Sequence, residues 1–118
     1  MSISMKTMAV IYVRVSSQKQ LKEGDGLASQ QARCEEFAVY RKYDIARVFK
    51  DDASGSLIDR PGMKAMLAFL RGNRKHNPVV IIDDISRLAR GLEAHLQLRA
   101  DIAKAGGKID LVAIKPPG

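Results

Sequence analysis

Arg14 and Ser16 stand two residues apart at the end of the run Val10-Ile11-Tyr12-Val13-Arg14-Val15-Ser16-Ser17-Gln18. A charge inside an otherwise apolar and aromatic run is unexpected unless it reaches an edge or a partner. A serine beside it is a candidate nucleophile. Two further stretches have the same character. Asp51, Asp52, Ser54 and Arg60 follow one short apolar run, and Asp83, Asp84, Ser86, Arg87 and Arg90 follow another. If the three runs are parallel strands, their following loops open on one edge of a sheet, where chemistry collects in open α/β folds. Several arginines would then surround a serine. That set suits phosphoryl transfer: guanidiniums stabilise charge on the nonbridging oxygens as point charges and as bidentate donors. Serine attacks in line, and cationic surroundings favour its alkoxide.

Other chemistries are less well served. No GxxxxGK run occurs, so a Walker loop is excluded. The two histidines, His76 and His95, are both far from Ser16 in sequence, which weakens any Ser-His-Asp acyl transfer. Asp83 and Asp84, with Asp51, are a possible Mg²⁺ set, or equally turn formers and salt-bridge partners. Asp51 could also cap the next turn or hold an arginine. Arg87 and Arg90 share a face if their turn is helical and could pair with the aspartates as structure alone. Ser16 reads as a turn hydroxyl on composition alone, and Gln30 as an exposed helix former. The single cysteine, Cys34, rules out an internal disulfide and a multi-cysteine metal site. Its place in a helical pattern makes it a small core side chain.

The elements that must hold these groups follow from periodicity. Met1 to Lys6 reads as a frayed lead-in with no signal-peptide core, and residues 8–15 as a first strand. Residues 16–26 are a loop, and 27–43 a helix with Cys34, Phe37 and Ala38 inward and, more loosely, Leu27 and Ala28. Gln30, Arg33, Glu36 and Arg41 fall mostly off that stripe. A short strand over 45–49 leads into a loop over 51–60. Pro61 opens a helix whose Met63, Met66, Leu67 and Leu70 form a core stripe. After a basic turn over 72–78, Val79 to Ile82 is a third strand, apolar at every position and so covered on both faces. Residues 83–90 are a third loop. Residues 92–105 are a helix with Leu92, Leu96, Ile102 and Ala103 or Leu98 inward, stopped by Gly106-Gly107. Residues 109–114 are a fourth strand. This alternation predicts an α/β fold: an open, mainly parallel sheet of about four strands with helices on both faces.

The chain has 118 residues, one domain by size. No stretch reaches the roughly 18 apolar residues of a membrane span. Twenty Lys and Arg against 13 Asp and Glu give a formal charge of +7. That excess points to a polyanion partner, nucleic acid before membrane.

The motifs resemble those of the serine site-specific recombinases, the resolvase–invertase family. Tyr12-Val13-Arg14-Val15-Ser16-Ser17-Gln18 is similar to its aromatic-x-Arg-Val-Ser signature. Gly26-Leu27-Ala28-Ser29-Gln30 falls where the family has Ser-Ile-x-x-Gln, with Gly26 in place of the usual capping serine. Asp51-Asp52-Ala53-Ser54-Gly55 resembles the Asp-x-x-Ser-Gly loop, Asp59-Arg60-Pro61-Gly62 the following Arg-Pro, and Ile85-Ser86-Arg87-Leu88-Ala89-Arg90 the Leu-(Asp or Ser)-Arg-Leu-x-Arg block. The long first loop and Ser86 look more like the large serine integrases. The resemblance implies DNA cleavage and rejoining through a 5′-phosphoseryl intermediate, with no metal, cofactor or ATP. It makes Ser16 the nucleophile. Arg14, Arg87 and Arg90 would hold the scissile phosphate, Arg60 would assist, and Asp51 would orient an arginine or help move a proton. Gln18, Gln30, Ser54 and Ser17 would be supporting groups near the phosphate. It also implies double-stranded DNA as partner, self-association of the full-length protein to a dimer and synaptic tetramer, and a cytoplasmic, bacterial or phage-encoded protein acting on the nucleoid. Residues 1–118 are expected to be a catalytic core that stops before the family's long interface helix and DNA-binding domain.

Overall fold

The computed structural model describes residues 6–15, 27–52, 60–83 and 92–112. In chain order these form β1 (Thr7–Val15), α1 (Leu27–Arg41), β2 (Tyr43–Asp52), α2 (Pro61–Gly72), a 3-10 turn (Arg74–His76), β3 (Val79–Ile82), α3 (Leu92–Lys104) and β4 (Lys108–Leu111). The four strands make one sheet in the order β2-β1-β3-β4, and every neighbouring pair is parallel. The α/β reading with helices on both faces holds.

Alternation along β1 divides the core in two. Val10 and Tyr12 join Phe49, Met63, Met66, Leu70, Val80, Ile82, Leu98 and Ile102 on the face covered by α2 and α3. Ala9, Ile11 and Val13 join Cys34, Phe37, Ala38 and Ile81 on the face covered by α1. The central strands β1 and β3 are therefore buried on both sides. Each large aliphatic side chain fully removed from water contributes about 1.5–3 kcal/mol.

Several boundaries differ from expectation. Strand β2 is longer than the predicted 45–49, because its backbone pairs with β1 from Thr7↔Tyr43 through Val15↔Asp52. Tyr43 thus belongs to the strand, and α1 ends at Arg41, where Lys42 turns left-handed at φ 61°. Asp51 and Asp52 lie in the strand and not in the loop. The register slips between Ala9↔Ile45 and Val10↔Arg47, leaving Ala46 as an extra residue. A one-residue bulge reverses which face the later residues occupy. Ile45 consequently packs toward α1 while Phe49 packs toward α2.

In α3 Leu98 and Ile102 are buried, as is Ala105 just past its end, whereas Leu96 is 55% exposed and Ala103 is exposed. Of the two alternatives Leu98 is the inward residue, and the expected inward placement of Leu96 fails because a residue two positions from Leu98 lies off the face that Leu98 and Ile102 share at i, i+4 spacing. The predicted Gly-Gly stop is correct in detail. Gly106 sits at φ 96°, its N–H donates to Ala103 O at 3.0 Å, and Gly107 N–H donates to Ile102 O at 2.9 Å. These are the paired bonds of a glycine-terminated helix end. Among the described residues no helix is long and apolar enough to cross a membrane.

Candidate active site at the carboxyl edge of the sheet

Three of the groups singled out from the sequence come together at the ends of β1 and β2. Arg14 stands opposite Asp51 in the β1–β2 register. Arg14, Asp51 and Arg60 are all buried, at 7%, 4% and 5% exposure. Asp51 lies at the centre of a hydrogen-bond cluster. The Tyr12 hydroxyl donates to its Oδ2 at 2.7 Å. The backbone N–H of Gly62 donates to Oδ1 at 2.7 Å and that of Met63 to Oδ2 at 2.9 Å. Asp51 therefore supplies from β2 the N-terminal cap that Arg60, at the N-cap position of α2, does not make with its own side chain. A carboxylate is well placed there, because a helix start presents unsatisfied N–H groups and positive dipole charge.

The approach is close enough to dictate a residue type. A Cβ on Gly62 would stand 2.3 Å from Lys50 O and 2.9 Å from Asp51 Oδ1. Only glycine lets α2 begin against β2 at this distance. Pro61 precedes it at the first helical position, where a missing N–H costs nothing.

Tyr12 is fully buried on the same face. Burial raises its phenol above the ordinary range, the hydrogen bond and negative charge of Asp51 add to this, and the charges of Arg60 and Arg14 act in the opposite direction. The hydroxyl is a buried donor to Asp51.

Gln30 holds the end of β1 from the other face. Its Nε2 donates to Arg14 O at 2.8 Å, and its Oε1 accepts from Arg14 N at 3.1 Å. The β1–β3 ladder ends at Tyr12↔Ile82. Two residues further on, the Gln30 amide meets both backbone groups of Arg14, as the peptide of another strand would. Gln30 is fully buried, in line with Cys34, Phe37 and Ala38 at helical spacing. The expectation that it lies off the apolar stripe is corrected: a side chain that satisfies its own polar atoms can occupy a core position.

Asp83, at the end of β3, is paired with Arg33 of α1 by two parallel bonds of 2.8 Å each. This separates the aspartates of the Mg²⁺ reading. Asp51 faces α2 and is bonded to three donors. Asp83 faces α1 and is clamped by a guanidinium. The two carboxylates are on opposite faces of the sheet, so a single ion cannot take both. Among the described residues no group of three or more His, Cys, Asp or Glu side chains is arranged to hold a metal.

Ser16, Ser17, Gln18, Ser54, Arg87 and Arg90, together with Asp84, lie outside the described residues. Arg33 is a position whose importance the sequence did not convey, and Tyr12 and Gly62 entered only as members of motifs, without a role. The available signals were a tyrosine two residues before Arg14, on the same face of a strand, and a glycine directly after the helix-opening proline.

The comparisons with known proteins fit this arrangement. A family model described as the resolvase N-terminal domain matches residues 9–116. The C-terminal catalytic domain of ISC1926 TnpA, an IS607-like serine recombinase, is 31% identical, with a TM-score of 0.73 over 93% of this chain and 71% of that one. The N-terminal catalytic domain of TP901-1 integrase shares the fold at a TM-score of 0.75 and 24% identity, over 90% of this chain and 78% of that one. A resolvase family site-specific recombinase from Streptococcus pneumoniae does so at 0.74 and 24% identity, over 92% and 73%. No curated protein matches significantly.

Proposed function

The chain belongs to the resolvase family as the catalytic domain of a serine recombinase, an enzyme of site-specific DNA recombination that works through a phosphoserine intermediate, and on that premise we propose that Ser16 is its nucleophile. The Ser16 oxygen attacks the scissile phosphorus and gives up its proton. The bond from phosphorus to the 3′ oxygen breaks, and that oxygen takes a proton as it leaves. The products are a 5′-phosphoseryl bond and a free 3′ hydroxyl. Rejoining is the reverse attack by a 3′ hydroxyl, and because the phosphodiester's energy is kept in the seryl ester it requires no ATP.

Arg14, Arg87 and Arg90 bind the phosphate and stabilise the charge that develops on its nonbridging oxygens. Arg60 assists from the start of α2. Asp51 acts as an orienting group: its carboxylate is engaged by Tyr12, Gly62 and Met63, which favours that role over proton transfer. Gln30 positions Arg14 through its backbone, while Gln18, Ser54 and Ser17 are supporting hydrogen-bonding groups. Duplex DNA is the substrate, and the excess positive charge of +7 suits it. Assembly into a dimer and a synaptic tetramer, and action on the nucleoid in the cytoplasm, are part of the same proposal.

The observation that carries the reading is the convergence at one sheet edge of Arg14, Asp51 and Arg60, buried and drawn from separate segments. The test is to incubate the longest native form of the protein with candidate attachment-site DNA in EDTA, under conditions that trap cleaved intermediates. A denaturing gel then shows whether protein–DNA adduct forms, with Ser16→Ala alongside. Adduct that disappears in the variant is the expected result. Cleavage that needs Mg²⁺, leaves no adduct and survives the substitution overturns the assignment.

A further inference from the structure

Helix α1 contacts the ends of both central strands from a single turn. Gln30 takes the backbone of Arg14 at the end of β1. Three residues later, Arg33 takes the carboxylate of Asp83 at the end of β3. Between these points the strands are no longer joined to each other, since their ladder stops at Tyr12↔Ile82. We propose that Arg33 and Asp83 are a positioning pair for strand cleavage: together with Gln30 they fix the spacing between Arg14 and the point from which the chain runs on to Arg87 and Arg90.

Geometry supports a locating role. The guanidinium meets Asp83 with two parallel 2.8 Å bonds, which set orientation as well as distance. The Asp83 side chain is 10% exposed, whereas that of Arg33 is 41% exposed. Asp83 is buried and only Arg33 reaches water, so loss of the guanidinium would cost stability as well as orientation. Burial is the main influence on the thiol of Cys34, fully buried in α1, and pushes it up; the charge of Asp83 adds to this and that of Arg33 opposes it. The pair stands on the α1 face, opposite the face that carries Asp51, and so acts on the reaction through Arg14 and the third strand end, without touching the phosphate.

This inference rests on the recombinase reading, and its test separates the two. The rate of adduct formation at saturating DNA is measured for the wild type, Ser16→Ala, Arg33→Ala, Asp83→Asn, Arg33→Lys and the swap Arg33→Asp with Asp83→Arg, with DNA half-saturation measured in parallel. Arg33→Ala and Asp83→Asn should each slow adduct formation by about tenfold or more with half-saturation unchanged, as a misplaced reacting group does. Arg33→Lys should recover part of the rate and the swap most of it. Protection of Cys34 from a thiol reagent under native conditions reports that each variant is folded. An Arg33→Ala rate within about twofold of wild type, a loss seen only as weaker DNA binding, or a folded swap that recovers nothing overturns the positioning role while leaving the Ser16 assignment intact. A wild type without Ser16-dependent adduct overturns the recombinase reading, and this inference with it.

Discussion

Arg14 and Asp51 face each other across the parallel β1–β2 ladder, one rung before its last pair. The two residues are anchored in different ways. Arg14 is fixed through its backbone by Gln30, which leaves its guanidinium to be aimed by what surrounds it. Asp51 is fixed through its side chain by the start of α2 and by Tyr12. A buried carboxylate whose oxygens accept from three fixed donors is itself held in one orientation, and so can orient the side chains beside it.

Replacing Asp51 should therefore cost stability before it costs chemistry. Asp51→Ala leaves the Gly62 and Met63 N–H groups and the Tyr12 hydroxyl without their acceptor. The expected loss is about 3 kcal/mol, from a lost helix cap together with buried donors left unpaired. Asp51→Asn retains one carbonyl oxygen and should lose about half of that. Urea denaturation monitored by circular dichroism measures both. A cost near zero for Asp51→Ala would show that the cap is made by something else.

Two glycines of α2 should respond in opposite directions. Gly62→Ala forces a Cβ to 2.3 Å from Lys50 O, a backbone atom that cannot swing aside. The expected destabilisation is about 3 kcal/mol or more, as for other substitutions that overpack a fixed site. A Cβ at Gly72 meets nothing within 4 Å, so Gly72→Ala should stabilise by about 0.5–1 kcal/mol by lowering the entropy of the unfolded chain. Thermal melts of the two variants, run together, check the contrast.

Alkaline pH should weaken the fold partly through Cys34. Burial, and after it the charge of Asp83, raises the thiol from 9.0 to about 12. The native state therefore keeps a proton that the unfolded state begins to release near pH 9. The unfolded chain then binds fewer protons, so stability falls as pH rises from 9 toward 12 and is complete below 9. Urea midpoints of wild type and Cys34→Ala, compared across this range, should converge as pH rises, because only the wild type bears this linkage. Parallel curves would remove Cys34 as a cause. Tyr12 and Tyr43, both raised chiefly by burial, add further slope that the variant retains.

The sequence made the order of elements, the parallel sheet and the identities of Arg14, Asp51 and Arg60 legible, because period and motif lie along the chain. It was less informative wherever the meaning of a residue depends on a partner far away. An amide is normally outside, so the sequence places Gln30 at the surface; its position in the core depends on the two backbone groups of Arg14 that it bonds beyond the end of the β1–β3 ladder. Arg33 looked like one more surface cation until Asp83 was brought to it from 50 residues away. The hydrophobic alternation of β2 is broken, so period alone predicts a shorter strand than the one that forms. Ile45 and Val48 pack with the α1-facing core, and Phe49 with the other face, a pattern that no unbroken strand period produces.

That break supplies a final prediction. Ala46 is exposed, and it is the extra residue that the register passes over between Ala9↔Ile45 and Val10↔Arg47. Ile45 and Asp51 are an even number of positions apart in the chain, yet the bulge lets Ile45 face α1 while Asp51 faces the start of α2. Deleting Ala46 leaves an odd number of positions between them, so plain alternation keeps each on its present face. The deletion should therefore be tolerated, at a cost of about 1 kcal/mol or less. Ala46→Ser, which keeps the extra residue, should stay within about 0.5 kcal/mol of wild type. Chemical denaturation of both variants makes the comparison. A deletion that costs about 3 kcal/mol or more would show that the bend and added twist of the bulge itself, and not only the register on either side of it, are needed to bring Asp51 to the start of α2.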